Sequence, residues 1–198
     1  GALFAFLINT PNPGFDNQGI WQATGAGATL VAIANQPITG SGGVKLTGIN
    51  GNPNQNRGGA AVFTGRLDFT GGFATDAVLC YSAGVGAQIA VREGDAAPGV
   101  PGALFGEVGL TSVPEFAMND SGRLAFIAPL TGVPAPGNRG LFAGDAATQA
   151  YSLVALNGAP SPTPGGAPFT FITAPSINAQ GDVAFYSNMS APPFFGLF

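Results

Sequence analysis

Histidine is absent from this 198-residue sequence, cysteine occurs once, at Cys80, and only 8% of the residues are charged. Without histidine, zinc sites lose their commonest nitrogen ligand and a serine or cysteine nucleophile loses its usual base. A single cysteine excludes an internal disulfide framework. The six basic residues, Lys45, Arg57, Arg66, Arg92, Arg123 and Arg139, stand singly and are outnumbered by ten acidic ones. Nucleic-acid affinity draws on clustered Lys and Arg, so a nucleic-acid partner is excluded. The longest purely apolar run, ALFAFLI at residues 2 to 8, falls far short of the ~20 residues a membrane-spanning helix needs. No insertion into a membrane is expected. No basic region precedes that run and no cleavage site follows it, so it is not read as a secretory signal.

What the chain does have is 32 glycines, 17 prolines and 45% hydrophobic residues. So much Gly and Pro borders on low-complexity composition, but disordered chains lack apolar surface and carry more charge. The combination predicts an ordered fold with many turns.

Two octets give the order of that fold. NDSGRLAF at 119 to 126 and NAQGDVAF at 178 to 185 both read Asn-x-x-Gly-x-x-Ala-Phe, and NRGGAAVF at 56 to 63 is a degenerate third copy with Val62 in place of alanine. Their last residues, Phe63, Phe126 and Phe185, lie 63 and 59 apart, and Phe6 of the opening GALFAF lies 57 before Phe63. Other features keep the same phase. A second short strand ends at Trp21, Cys80, Phe142 and Phe198, in GIW, VLC, GLF and GLF. A third follows at 30 to 34, 88 to 92 and 152 to 156, then a Gly/Pro-rich loop, and a fourth leads into the next octet, as in SVPEFAMN and APSIN.

Each fixed letter of the octet has a physical reason. Asn in first place and Gly in fourth suit a type I turn whose side chain bonds nearby backbone and whose glycine takes positive φ, the common three-residue hairpin. Beyond the turn, Leu124, Phe126 and Ala128 face one way and Arg123, Ala125 and Ile127 the other. Both faces are largely apolar, as in strands buried between stacked sheets.

Four short strands per ~60 residues in tandem predict an all-β fold of β-propeller-type blades. The expected division is a single repeat array, 1-198, with a partial blade at 1-50, blades at 51-111 and 112-173, and a partial blade at 174-198. Counting three, four, four and three strands predicts an open arc with flanking repeats of the same protein as its neighbours. A β-solenoid is the alternative; helical solenoids are disfavoured because no segment carries a sustained 3.6-residue apolar period.

The tandem octets resemble the bacterial repeat family named for the motif NxxGxxAF, found in exported proteins with varied C-terminal anchors. The stretch APSINAQGDVAFYSN is similar, more distantly, to the hairpin of TolB-type propeller repeats. The first resemblance spans essentially the whole chain. It implies an exported bacterial protein, extracellular or at the cell surface, and brings no catalytic residues to carry over.

Candidate chemistry is sparse. Cys80 lacks a base, and its expected equivalents Trp21, Phe142 and Phe198 make it and Trp21 core positions. GAGA at 25 to 28 and GVGA at 84 to 87 lack the third glycine of a phosphate-cradling loop and are read as hairpin turns. Glu93 and Asp95 stand two apart, and Asp120, Asp145 and Asp182 fall on turns, but calcium needs six to eight oxygens and no loop offers more than two carboxylates. At aligned positions Glu93 becomes Asn157 and Asp95 becomes Ala159, so no per-repeat metal site is expected. Of the two glycosylation sequons, NDS at 119 to 121 and NMS at 188 to 190, the first lies inside the repeat turn. No catalytic, cofactor or metal residue is assigned, and no ligand-binding residue is identified.

The expectation is therefore a non-enzymatic surface or extracellular repeat module that binds a protein or glycan partner or forms structure. A polysaccharide-active hydrolase or lyase on a propeller scaffold, which would need two suitably spaced carboxylates, and a filament or envelope-layer component are the alternatives.

Overall fold

The computed structural model describes residues 2–7, 18–24, 27–50, 53–68, 74–108, 115–192 and 194–198. Every element assigned among them is a β-strand: β1 Ala2–Leu7, β2 Gln18–Thr24, β3 Gly27–Ile33, β4 Lys45–Ile49, β5 Asn54–Gln55, β6 Ala61–Asp68, β7 Ala74–Ser82, β8 Gly86–Arg92, β9 Leu104–Phe105, β10 Phe116–Met118, β11 Arg123–Thr131, β12 Arg139–Asp145, β13 Ala150–Leu156, β14 Phe169–Ile177, β15 Val183–Met189 and β16 Phe195–Leu197. The protein is all-β.

The strands form four antiparallel meanders. Sheet A is β1-β2-β3; sheet B is β4-β6-β7-β8 with β5 also on β6; sheet C is β10-β11-β12-β13 with β9 also on β11; sheet D is β14-β15-β16. None closes on itself. Sheets A and B fall in one compact unit, Gly1–Arg92, and sheets C and D in a second, Glu93–Phe198.

The octet turns have one geometry in all three places. In each, the amide of the glycine donates to the asparagine carbonyl three residues back: Gly59 to Asn56 at 3.2 Å, Gly122 to Asn119 at 3.1 Å and Gly181 to Asn178 at 3.1 Å. The next amide donates to the asparagine Oδ1, from Ala60 at 2.9 Å, Arg123 at 3.0 Å and Asp182 at 2.8 Å. The glycines sit at φ of 84°, 82° and 93°, where a Cβ is strained. This is a type I turn followed by a left-handed residue. It returns the chain into β6, β11 and β15.

The Gly/Pro-rich loops agree as closely. Residues 34 to 46, 93 to 105 and 157 to 169 are equal in length, and each is pinched by a bridge: Pro37 with Lys45, Ala96 with Leu104, Pro160 with Pro168. One step inside, Ile38 donates to Val44 at 2.9 Å, Ala97 to Ala103 at 3.0 Å and Ser161 to Ala167 at 3.1 Å. Each loop delivers its last residue to an outer strand opposite the residue four beyond the octet phenylalanine: Leu46 opposite Leu67, Phe105 opposite Leu130, Phe169 opposite Met189.

Register corrects the expected alignment of the second strands. Phe63 stands opposite Leu79, Phe126 opposite Phe142, and Phe185 exchanges backbone hydrogen bonds with Phe198. A bulge follows at the same place in three sheets, between Ile20 and Trp21, Val78 and Leu79, and Leu141 and Phe142. The equivalents of Trp21, Phe142 and Phe198 therefore include Leu79 and not Cys80, which lies opposite Val62. In sheet A the residue opposite Trp21 is Phe4, so Phe4 rather than Phe6 holds the octet-phenylalanine position.

A packing rule underlies this register. The residue two before each aromatic is Gly19, Gly140 or Gly196, and a Cβ there would meet the ring that folds back over it: Trp21 Cζ3 at 2.6 Å, Phe142 Cε2 at 2.8 Å, Phe198 Cε2 at 3.0 Å. Sheet B has Ala77 and Leu79 instead. A larger Cβ is matched by a smaller side chain, so the volume is kept.

Within each unit, one core joins two sheets. Ile20 and Val31 of sheet A pack with Leu46, Phe63, Leu67 and Leu79 of sheet B. Ile127, Leu141 and Ala155 of sheet C pack with Phe169, Ile172, Phe185 and Met189 of sheet D. Leu124 to Ala128 of β11 are all buried, so this strand is covered on both faces. The phenylalanines recur as triads: Phe105, Phe126 and Phe142 in sheet C match Phe169, Phe185 and Phe198 in sheet D, with one stacked pair and two edge-to-face pairs in each.

Grouping by sheets cuts the chain elsewhere than the boundaries read from the sequence. The 173/174 boundary falls inside β14, and 50/51 falls between β4 and β5 of one sheet. Residue 111 lies outside the described residues. The physical reason is that the strand leading into an octet pairs with that octet's strand, so it belongs to the sheet it enters.

Candidate functional site

The side chains singled out in the sequence do not converge. Cys80 on β7 is partly exposed at its surface, yet the protein packed around its sulfur pushes the thiol up to about 12 by desolvation. A thiol so shifted is almost wholly protonated near neutrality and is a poor nucleophile. Gly84 and Val85 form the β7-β8 turn, Val85 donating to Ser82 at 3.2 Å, and Gly86 opens β8, so GVGA is a hairpin turn. In GAGA, Gly25 and Ala26 lie outside the described residues; Gly27 and Ala28 begin β3.

The acidic residues are held locally. Asp145 accepts from the Thr148 amide at 2.8 Å and its hydroxyl at 2.9 Å, bonds that lower its pKa below the usual carboxylate value. Asp182 accepts from Asn178 Nδ2 at 2.9 Å. Asp120 is exposed on the octet turn, and the Asp95 carbonyl accepts from the Phe105 amide inside its loop. Among the described residues no group of three His, Cys, Asp or Glu side chains is placed to hold a metal. Asn119 of the NDS sequon is buried, with its side-chain amide donating to the Asn178 carbonyl at 2.8 Å. Asn188 of NMS is exposed.

A different set of polar residues recurs. The position just before the small residue of the second strand is Gln18 in sheet A, Asp76 in sheet B and Arg139 in sheet C, while in sheet D it is Phe195. Gln18 Oε1 in sheet A accepts the Ile49 amide of sheet B at 2.9 Å. Arg139 Nε in sheet C donates to the Ile172 carbonyl of sheet D at 3.3 Å. Ile49 and Ile172 are counterparts, each three beyond the loop's last residue, so each bond ties one sheet to the outer strand of the next. Asp76, 5% exposed, accepts from Asn50 Nδ2 at 3.0 Å.

The densest of these clusters surrounds Arg139. Its guanidinium forms an ion pair with Glu115, which is buried just before β10 and whose carbonyl accepts the Ile127 amide at 2.7 Å. It also lies 5.3 Å from the Phe171 ring centroid. Charge, planar donors and ring face are thus all engaged within the protein. The sequence reading missed this pair, although a glutamate within the apolar run SVPEFAM was a signal, because a buried acid needs a partner.

The match of a family model to residues 2–193 decides the assignment. This chain belongs to the family of unknown function DUF7453. No curated protein and no solved structure matches it. In this member of DUF7453, Gln18 and Arg139, at one recurring position, each bond to the outer strand of the next sheet.

Proposed function

We propose that the chain is a non-enzymatic module of tandem β-propeller-type repeats, acting outside the cell or at its surface in a binding or structural role. The observation that supports this reading most is the recurrence of a noncatalytic frame. One turn, one loop and one bulge return at the same phase, and at one recurring position Gln18 and Arg139 are spent on holding one sheet to the next. An exported location rests on the resemblance of NDSGRLAF and NAQGDVAF to NxxGxxAF repeats. The binding or structural role rests on the repeated frame itself, since tandem repeats present extended surfaces to partners.

The test is incubation of the purified chain with soluble pectin, xylan, alginate and chitin oligomers, followed by assays of reducing ends and of 235 nm absorbance. No product is expected with any substrate. Product formation that is lost on changing one carboxylate, such as Asp120→Asn or Asp182→Asn, would replace this reading with an enzymatic one.

A further inference from the structure

Each Gly/Pro-rich loop is shut by the same backbone bond. The amide of its second residue donates to the carbonyl of its last: Asn35 to Leu46 at 2.5 Å, Gly94 to Phe105 at 2.8 Å and Gly158 to Phe169 at 2.7 Å. Only the loop at 157 to 169 begins Asn-Gly; the other two begin Ala-Asn and Glu-Gly. That dipeptide carries its own chemistry. A glycine amide nitrogen, unhindered by a side chain, can attack Cγ of the asparagine before it. A bond forms between the two atoms, the Cγ–Nδ2 bond breaks, and ammonia leaves with the amide proton. Water then opens the succinimide to aspartate or isoaspartate, so no oxidant or cofactor is needed.

The shut loop occupies the groups that this reaction uses. Asn157 is 7% exposed, and its Nδ2 donates to the Thr170 carbonyl at 3.2 Å, which fixes the carboxamide. The Gly158 amide, which must lose its proton to attack, spends that proton on Phe169. Phe169 is itself buried, with its ring edge-to-face against Phe185 and Phe198. The nitrogen is freed only when the loop opens locally away from the start of β14.

The product does not fit back into the loop. The Asn157 amide donates to the Arg139 carbonyl at 3.0 Å, and the next amide along the chain is the one bonded to Phe169. Isoaspartate inserts one extra main-chain carbon between these two anchored amides, so both bonds cannot be remade as they stand. Aspartate keeps the main chain but puts a carboxylate where a buried amide donated to Thr170, which leaves that carbonyl without its donor. We infer that Asn157-Gly158 is a succinimide-forming modification site, held unreactive by the shut loop, and that its reaction makes opening of the loop permanent. The mark is written only on chains whose loop has opened.

The test holds the purified chain at pH 8.5 and 37 °C, native or in concentrated urea, and follows Asn157 by peptide mapping with isoaspartyl methyltransferase labelling. Asn50-Gly51, the other Asn-Gly of the sequence, supplies the unfolded reference rate in urea. Asn157 should convert at a similar rate in urea and at least about a hundredfold more slowly in the native chain, because reaction there waits on opening. Chains aged in urea and returned to buffer should regain less cooperative unfolding than equally aged Asn157→Gln, each compared with its own fresh sample. That variant takes the same damage at Asn50, and its longer side chain closes the ring slowly at 157. Equal native and urea rates would show that the loop does not guard the site, and equal recovery of the two aged chains would show that the modification does not bar closure; either result overturns the inference.

Discussion

Asn119 and Asn178 are hydrogen-bonded to each other, the side-chain amide of the first donating at 2.8 Å to the carbonyl of the second, so one octet turn is fastened to the next. The same Asn119 holds its own turn, its Oδ1 accepting from the Ser121 amide and hydroxyl and from the Arg123 amide. Asn178 is exposed, and its side chain bonds within its own turn, Oδ1 accepting from the Asp182 amide and Nδ2 donating to the Asp182 carboxylate. Asn119→Ala should therefore cost about 2–3 kcal/mol and Asn178→Ala about 1 kcal/mol, because lost buried bonds leave unsatisfied partners. Asn119→Asp should fall between wild type and Asn119→Ala, since it keeps the acceptor and loses the donor. Urea unfolding of the three variants checks the order; equal losses at 119 and 178 would contradict it.

The pairing of a small residue with a large one on the second strand predicts a compensating double mutant. Gly140→Ala places a Cβ 2.8 Å from the Phe142 ring and should cost about 1–3 kcal/mol by overpacking. Phe142→Leu alone should cost a similar amount through the cavity it leaves. Together they recreate the Ala77 and Leu79 arrangement of sheet B, and a double-mutant cycle should show at least about 1 kcal/mol of favourable coupling. Strict additivity in thermal or urea unfolding would count against the packing rule.

How much of this was legible is best seen at particular residues. Asn56, Asn119 and Asn178, with Gly59, Gly122 and Gly181, announced their turns because a local hydrogen bond and a positive φ depend on residues a few positions apart. Aligning by aromatic letters instead put Cys80 beside Phe142 and Phe6 beside Phe63. The true partners, Leu79 and Phe4, follow from cross-strand register, which is a nonlocal property. The Glu115–Arg139 pair was harder still, because its members stand 24 residues apart and meet only once β10, β11 and β12 have paired.

That pair yields a third prediction. Arg139→Met leaves Glu115 buried without its cation and should destabilise by about 3–5 kcal/mol, and Glu115→Gln should also be costly, through loss of the ion pair. Combining the two should cost clearly less than the two losses added together. Urea unfolding of the single and double variants measures this, and full additivity would mean that the two groups do not interact.

Cys80 makes a prediction in pH. Its thiol is pushed from the ordinary value of 9.0 to about 12 by burial. Below pH 9 both folded and unfolded chains keep the proton, so stability from this group is fully present. Between pH 9 and about 12 only the unfolded chain releases it, so stability falls as pH rises through that window. Cys80→Ala should flatten that part of the alkaline stability profile. At pH 8, labelling by a disulfide reagent such as dithionitrobenzoate should be at least a hundredfold slower in the native state than in guanidinium chloride; equal rates would show that the thiol is not desolvated.

The central claim, that the octet is an interchangeable architectural unit, is tested most directly by transplanting it. Residues 178 to 185 are replaced by NDSGRLAF, and a control receives the same octet with its Asn and Gly both changed to alanine. If the turns at 119 and 178 serve one purpose, the first chimera should keep its β-sheet circular dichroism and melt within about 5 °C of the wild type, a cost of roughly 1–2 kcal/mol at this size. The control should melt well below it. A transplant that melts as low as its control, or loses cooperative unfolding, would contradict the claim.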